Sequence, residues 1–441
     1  MAIMILSRMA EVILVSNTYE LRLYDTPLLT FSLAESGLDG LSARILKVDE
    51  QQKHLLPLDL KLTDDEIAPW LRARVIPKNR AFVEEILKAL GLTVNNTKGI
   101  IDVCKGLSLN DSYWIVPQGF EGNFSQYNLY ENRFSEILSL VAYTGVGQTH
   151  EAFTTSPELT TSGMLPKAWR LADTDGIYLY KGGTSGAVNT GNEPFSEYYA
   201  CQIAQAMGLD CVVYDLERWK GILASKCKLF TDIDTTFVGV GRIVKSGGLK
   251  ACMKYYEEMG NDFADSLRSM LVFDAVIYNE DRHFGNFGIL RDNKTGEILR
   301  PAPLFDHGLS LFNYAMPDEI AKLDEYAATR YPIYPDVTFD SIVTEVCGKT
   351  QAAQLRHLIG FNFKRHPAIN WPEDRLLAIE KHIQKRVVSL LDLAQSRAKA
   401  PIAKQDKKPS LSRQLGEAKK AVDLENSSRP SAQKNRDDLE I

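Results

Sequence analysis

The stretch NEDRHFGNFGIL, residues 279–290, decides how the rest of the sequence is read. It follows NDFADSLRSMLVFDAVIYN, whose apolar positions recur at helical spacing and predict a helix capped by Asn261. That helix delivers Asp281 and, five residues later, Asn286. A carboxylate in such a place can orient or deprotonate a nucleophile. A carboxamide offers a neutral hard oxygen of the kind Mg²⁺ accepts. About twenty residues on, LFDHG sets Asp306 after an apolar, strand-like pair and before Gly308. It is a second carboxylate, suited to a Mg²⁺ shared with phosphates.

The order Asp281, Asn286, Asp306 matches the phosphoryl-transfer template of the protein kinases, catalytic loop first and metal aspartate second. That template requires a lysine and a phosphate cradle upstream, and both have candidates. Lys181 ends the predicted strand GIYLYK, and Glu197 opens the next helix at a spacing that suits a Lys–Glu pair. Before that strand, TTSGMLPK is a turn of small residues. Its backbone amides around Ser162, Gly163, Met164 and Leu165 could hold phosphate oxygens, with Lys167 adding charge. The turn is not a Walker A loop and lacks GxGxxG. KCKLF ends a strand just before the helical half, where the backbone of Lys228, Leu229 and Phe230 would pair with an adenine edge.

Composition narrows the alternatives. The chain has 441 residues, room for two or three domains. Its net charge of −6 argues against a general nucleic-acid binder. The six cysteines are scattered with no CxxC pair, the pattern of buried thiols in a reducing compartment and not of a zinc site or disulfide framework. With no long apolar run there is no membrane span, and a cytoplasmic location is expected.

Along the chain, residues 12–33 alternate apolar and polar and predict a hairpin or meander. From Thr63 two helices are expected, the first opened by a capping box of Thr63 with Glu66 and broken at Pro77, the second over NRAFVEEILKALG and closed by Gly91. IIDVCKGLSLNDSYWIV reads as short strands with a turn at Asn110 and Asp111. KAWRLA and GIYLYK form a hairpin through Asp-Thr-Asp-Gly. EPFSEYYACQIAQAMGL is a helix with Pro194 in its first turn and Gly208 as its stop. CVVYDL and ILASKCKLF are two more strands. The last forty residues lack aromatics and read as disordered, with Leu411, Leu415, Ala418 and Val422 able to share one face of a short helix.

TSGMLPKAW, YLYKGG, SEYYACQIAQAMGL, NEDRHFGNFGIL and APLFDHGLSLF together resemble the HipA-like bacterial serine/threonine kinases over residues 155–395. The resemblance implies an α+β, two-lobed protein-kinase-like fold: a β-rich small lobe over 151–245 and a helical large lobe over 246–400. An N-terminal α+β region (1–150) and a disordered tail (401–441) flank them. It implies ATP and Mg²⁺ as cofactors and transfer to Ser or Thr of a protein substrate. Asp281 would be the catalytic aspartate, Asn286 and Asp306 the metal ligands, and His283 a catalytic-loop residue near the phosphates. A loop hydroxyl, Thr160, Thr161 or Ser162, could itself be phosphorylated as an off switch. Toxins of this family pair with a small DNA-binding antitoxin. Residues 1–150 depart from the family's N-terminal subdomain, so this role ranks below the kinase reading. A phosphoinositide-like or small-molecule kinase and a nucleotide-binding pseudokinase are the alternatives. Arg282 is expected on Asp274 or a backbone carbonyl, and His283 could equally be a buried structural histidine.

Overall fold

The alternation that begins at Thr18 folds into antiparallel strands. In the computed structural model, which describes residues 17–36, 40–147, 155–172 and 176–399, strand β1 (Thr18–Leu23) buries Tyr19, Leu21 and Leu23 and turns the residues between them outward. With β2 (Thr26–Ser36), β3 (Gly40–Val48) and β4 (Tyr113–Pro117) it makes a sheet of order β3-β2-β1-β4. Helices α1 (Asp64–Arg72), α2 (Val83–Lys88) and α3 (Thr97–Cys104) lie between β3 and β4 in sequence.

Three expectations in this region change. Thr63 does stand at the N-cap of α1, but its side chain makes no capping bond, so the capping box is not formed. The second helix is shorter than NRAFVEEILKALG because Phe82, at φ 59°, is its cap in place of a helical residue. IIDVC is helix and not strand. The side chain of Asn96 accepts the amide of Gly99 at 2.7 Å, and this cap turns an ambiguous apolar run into α3, with Ile100, Ile101 and Cys104 buried.

Helix α4 (Glu136–Thr144) packs on the second sheet, where the Ser139 hydroxyl donates to the carbonyl of Trp169 at 3.1 Å. That sheet contains β5 (Lys167–Ala172), β6 (Gly176–Gly182), β7 (Tyr214–Trp219) and β8 (Ile222–Lys228) in the order β5-β6-β8-β7. Its register places Lys181 opposite both Lys167 and Ser225. Helix α5 (Glu193–Ala206) ends before Gly208, at φ 73°, as expected.

A third sheet, β11-β10-β9, was not legible: β9 (Thr235–Gly239), β10 (Gly288–Asp292) and β11 (Ile298–Pro301) are short. Gly288 is required there, since a Cβ on it would overlap the carbonyl of Val238. The helical part comprises α6 (Val240–Ile243), α7 (Gly248–Glu258), α8 (Asn261–Ile277), α9 (Pro317–Ala321), α10 (Leu323–Ala327), α11 (Phe339–Val346), α12 (Lys349–Arg356) and α13 (Glu373–Lys399). Asn261 is the first residue of α8 and not its cap, a place taken by Gly260. The largest core cluster surrounds α8, where Leu267, Met270, Leu271, Phe273 and Val276 are buried. Each such side chain contributes about 1.5–3 kcal/mol of transfer free energy. This fixes α8 as a rigid post for the stretch that follows it.

The described residues through Ala394 form one compact unit. No helix among the described residues is long and apolar enough to cross a membrane. The six cysteines are free thiols, buried or half-buried. Residues 12–16 of the first predicted hairpin, Asp-Thr-Asp at 173–175, and the tail over 401–441 with its Leu411 face lie outside the described residues.

Candidate active site

Lys181 leaves β6 on the side of the sheet covered by α5. Its ammonium donates to Glu197 Oε1 at 2.7 Å and also to Asp306. Glu197 is in turn bonded by the hydroxyl of Ser225, the residue across from Lys181 in the ladder. Burial alone would lower the lysine, but the carboxylates of Asp306 and Glu197 outweigh it and hold the ammonium firmly charged. Burial would raise Asp306, yet the charges of Lys181 and Lys167 keep its carboxyl well below the usual range. Glu197, deeply buried, is raised by desolvation against the pull of Lys181. Asp306 keeps 34% of its side chain exposed, so this pair of anions and its cation has one open face.

Asp306 sits in a loop, and the strand-like pair before it forms no strand. Its neighbour Leu304 makes only an isolated bridge with Cys211. Asp306 takes a left-handed backbone, φ 57°, and its amide donates to the hydroxyl of Tyr214 at 3.0 Å. Aspartate tolerates that conformation better than most residues, and a tightly tied neighbourhood has to hold it there.

Tyr278, at φ 51°, ends α8, and the catalytic-loop candidates follow. Asn279 links α8 to the loop, donating to Asp274 at 3.0 Å and accepting the Asp281 amide at 3.1 Å. The side-chain NH₂ of Asn286 donates to the carbonyl of Asp281 at 3.0 Å, so its amide nitrogen points at the loop. Asp281 is half-buried. Desolvation raises its carboxyl, with His283 opposing and Asp306 adding to the rise.

Arg282 does what was expected of it. It is buried and grips both oxygens of Asp274, at 2.9 and 3.0 Å, and donates to the carbonyls of Asn286 at 3.1 Å and Phe305 at 2.6 Å. It also meets His307 Nδ1 at 3.0 Å. Burial and the guanidinium hold His307 neutral. His283 is exposed, which removes the reading of a buried structural histidine; its Nδ1 accepts the amide of Gly285 at 3.0 Å.

In the candidate phosphate loop, Ser162, Gly163 and Met164 are exposed and Leu165 is half-buried. Lys167 is buried and donates to the carbonyl of Ser162 at 2.8 Å. Burial, then repulsion from Lys181, push its ammonium down to about 7. Gly163 has φ 90°, a conformation that side chains rarely adopt, and a Cβ there would also displace the Lys167 ammonium. A cavity of about 330 Å³ opens beside the loop, lined by Thr160, Ser162, Gly239, Gly285, Asp59 and Arg242.

The site therefore gathers Lys181, Glu197 and Asp306 by direct bonds, with Lys167 and Asp281 within electrostatic reach. The hinge candidates lie at the end of β8. Lys228 ends β8, the amide of Leu229 is bonded to the carbonyl of Ile177 at 2.9 Å, and Phe230 packs on Phe305, ring centroids 5.4 Å apart. Ser225, Tyr214, Asn279 and His307 were missed. Only Ser225 had a signal, its place across from Lys181 once β6 and β8 are paired. Among the described residues no three His, Cys, Asp or Glu side chains gather as a metal cluster. The carboxylate of Asp306 and the amide oxygen of Asn286 are hard oxygen donors of the kind Mg²⁺ accepts.

No protein-family model matches the chain. The serine/threonine-protein kinase CtkA of Helicobacter pylori strain J99 is 31% identical over 144 residues, 28% of this chain and 42% of that protein. The chain thus matches less than half the length of this relative. The crystal structure of the H. pylori proinflammatory kinase CtkA aligns over 53% of this chain and 94% of that one, with 22% identity and a TM-score of 0.44. A chain of the Shewanella oneidensis MR-1 toxin–antitoxin complex of HipA, HipB and its operator DNA is covered completely by 87% of this one, with 12% identity and a TM-score of 0.50. Residues 155–395 cannot supply that coverage, so the likeness of fold extends into the N-terminal region that the sequence had set apart. In sequence with CtkA, and in its kinase-like α+β fold with the HipA complex, this chain resembles the HipA-like serine/threonine kinases.

Proposed function

We propose that the protein is a serine/threonine protein kinase of the HipA type that uses ATP and Mg²⁺. The observation that carries this reading is the Lys181–Glu197–Asp306 cluster set against Asp281 and Asn286 at the end of α8. A merely structural ion pair has no need of an open face or of a second, desolvated aspartate nearby.

In this reading Lys181, fixed by Glu197, supplies charge to the α- and β-phosphates. Amides of residues 162–165 and the Lys167 ammonium hold phosphate oxygens. Asn286 and Asp306 would hold Mg²⁺, which would supply neutralisation of the phosphate charge. Asp281 orients the acceptor hydroxyl and takes its proton; its raised affinity for a proton suits it to that role. The new bond joins the acceptor oxygen to the γ-phosphorus, the bond from that phosphorus to its bridging oxygen breaks, and ADP leaves. Catalysis is mainly positioning and charge stabilisation. The cavity lined by Ser162 and Gly285 borders both the proposed phosphate loop and the proposed catalytic loop.

The division into an accessory region over 1–150, a small lobe over 151–245 and a large lobe over 246–400 belongs to the same proposal. So do a cytoplasmic location and a small DNA-binding partner of the HipB kind. For self-phosphorylation Ser162 is the best placed of the three hydroxyls. It is exposed, whereas Thr161 donates to the carbonyl of Pro157 at 2.6 Å and accepts Trp169 Nε1 at 2.9 Å. The test is intact mass after incubation with Mg-ATP, wild type beside Asp281→Asn, followed by peptide mapping. A phosphoryl adduct in the wild type alone supports the kinase. Nucleotide binding with no transfer to itself or to any protein acceptor moves the protein to the small-molecule kinases or the pseudokinases.

A further inference from the structure

The candidate phosphate loop is not held by the kinase half alone. Arg80, between α1 and α2 in sequence, reaches it with its guanidinium. That group donates to Glu158 Oε2 at 2.5 Å, to the Glu158 carbonyl at 2.6 Å, to the Thr161 carbonyl at 3.3 Å and to the Lys167 carbonyl at 2.9 Å. Both side chains of the Arg80–Glu158 pair are fully buried, 0% exposed. The other carboxylate oxygen of Glu158 accepts the amide of Trp169 on β5 at 2.8 Å. Two backbone bonds complete the grip, from the Ala81 amide to the Met164 carbonyl at 2.8 Å and from the Ile76 amide to the Leu159 carbonyl at 2.7 Å. The loop is therefore tied at its start, middle and end by one short segment, residues 76–81.

We infer that Arg80 is a positioning residue for nucleotide binding, and that the N-terminal region, by docking residues 76–81, sets the conformation in which the phosphate loop can hold an ATP phosphate. The inference rests on the kinase reading above. Its physical basis is the placement of the bonds. Arg80 grips the carbonyls of Thr161 and Lys167, so it fixes peptide planes on either side of the amides that would face phosphate. It also fixes the backbone from which Lys167 extends. A buried charged fork with four acceptors holds a loop that its own sequence, Ser-Gly-Met-Leu, would leave loose. Because the grip comes from outside the kinase half, whatever shifts residues 76–81 shifts nucleotide affinity.

The test uses the full chain and two variants, Arg80→Lys and Glu158→Gln. Either one loosens the fork without emptying the site, and the second serves if the first does not fold. Amide hydrogen exchange over residues 158–167 and the Kd for AMP-PNP with Mg²⁺ are measured on each. The expected result is faster exchange in 158–167 with exchange in β8 unchanged, and a Kd raised about tenfold, the scale of one charge-assisted hydrogen bond. Exchange that stays at the wild-type rate overturns the inference. So does faster exchange with an unchanged Kd, since the loop would then be braced for stability alone. If the wild type itself binds no AMP-PNP, the kinase reading fails and the inference with it, a result that the wild-type titration tells apart from the other two.

Discussion

Two charged clusters meet at residues 305–307 and differ in how completely they close. Asp274 and Arg282 satisfy one another and two backbone carbonyls in a place where Arg282 is 1% and Asp274 5% exposed. Lys181, Glu197 and Asp306 also pair, but Asp306 keeps a third of its side chain in solvent. The closed cluster has nothing left to offer a ligand. Its partners are a helix, the loop of Asp281 through Asn286 and the Asp306 segment through Phe305, so its work is to keep those three in register. The open cluster holds a carboxylate and an ammonium together at a surface, an arrangement that a ligand carrying both metal and phosphate can rearrange. Two ion pairs of similar chemistry thus serve different ends, and exposure is what separates them.

The first way to break this comparison is through Asp281, which belongs to neither cluster. Asp281→Asn is expected to lower transfer roughly 10³-fold, the scale of a lost general base, with nucleotide binding and thermal stability near wild type. Transfer at the wild-type rate, measured by incorporation of labelled phosphate, would sink the assignment. In the closed cluster, Arg282→Met is expected to destabilise the fold by about 3–5 kcal/mol, because it leaves Asp274 as an uncompensated buried charge. Denaturant unfolding measures this, and a loss under about 1 kcal/mol would mean that Asp274 takes up a proton at no cost. In the open cluster, Asp306→Asn should cost less stability than Arg282→Met, because Glu197 still pairs with Lys181 and the Asp306 side chain is partly exposed. It should remove the Mg²⁺ dependence of AMP-PNP binding, seen as titrations with and without Mg²⁺ that coincide.

Much of this site was legible because its chemistry depends on order along the chain. Asp281, Asn286 and Asp306 stand on consecutive segments after one strongly periodic helix, and Lys181 lies at the end of a short apolar and aromatic run bounded by glycines. What was not legible depends on long-range pairing. Tyr214 meets the amide of Asp306 across 92 residues, and Arg80 meets Lys167 across 87. Neither pair leaves a local pattern. IIDVC was misread for the opposite reason: five residues fit either element, and one asparagine side chain decided between them. The third sheet escaped because β9 and β11 have five and four residues and take their identity from β10.

Lys167 offers the finest test, since it lies between the loop and the open cluster. Its ammonium falls to about 7 in the fold from an ordinary 10.5 because it is buried and repelled by Lys181. Between those values the unfolded chain holds the proton and the folded one does not, so its contribution to stability rises with pH through that window. An anion placed beside it reverses the preference and restores the charged form. Binding of Mg²⁺ and AMP-PNP at pH 8 should therefore take up about one proton, and at pH 6, where the lysine is already charged, close to none. Affinity should fall as pH rises above about 7. Calorimetry at pH 8 in two buffers of different ionisation enthalpy reads the uptake directly. Lys167→Met should abolish it and flatten the pH dependence. Equal proton uptake in wild type and variant would place Lys167 away from the phosphates and return it to the role of a buried tether for the carbonyl of Ser162.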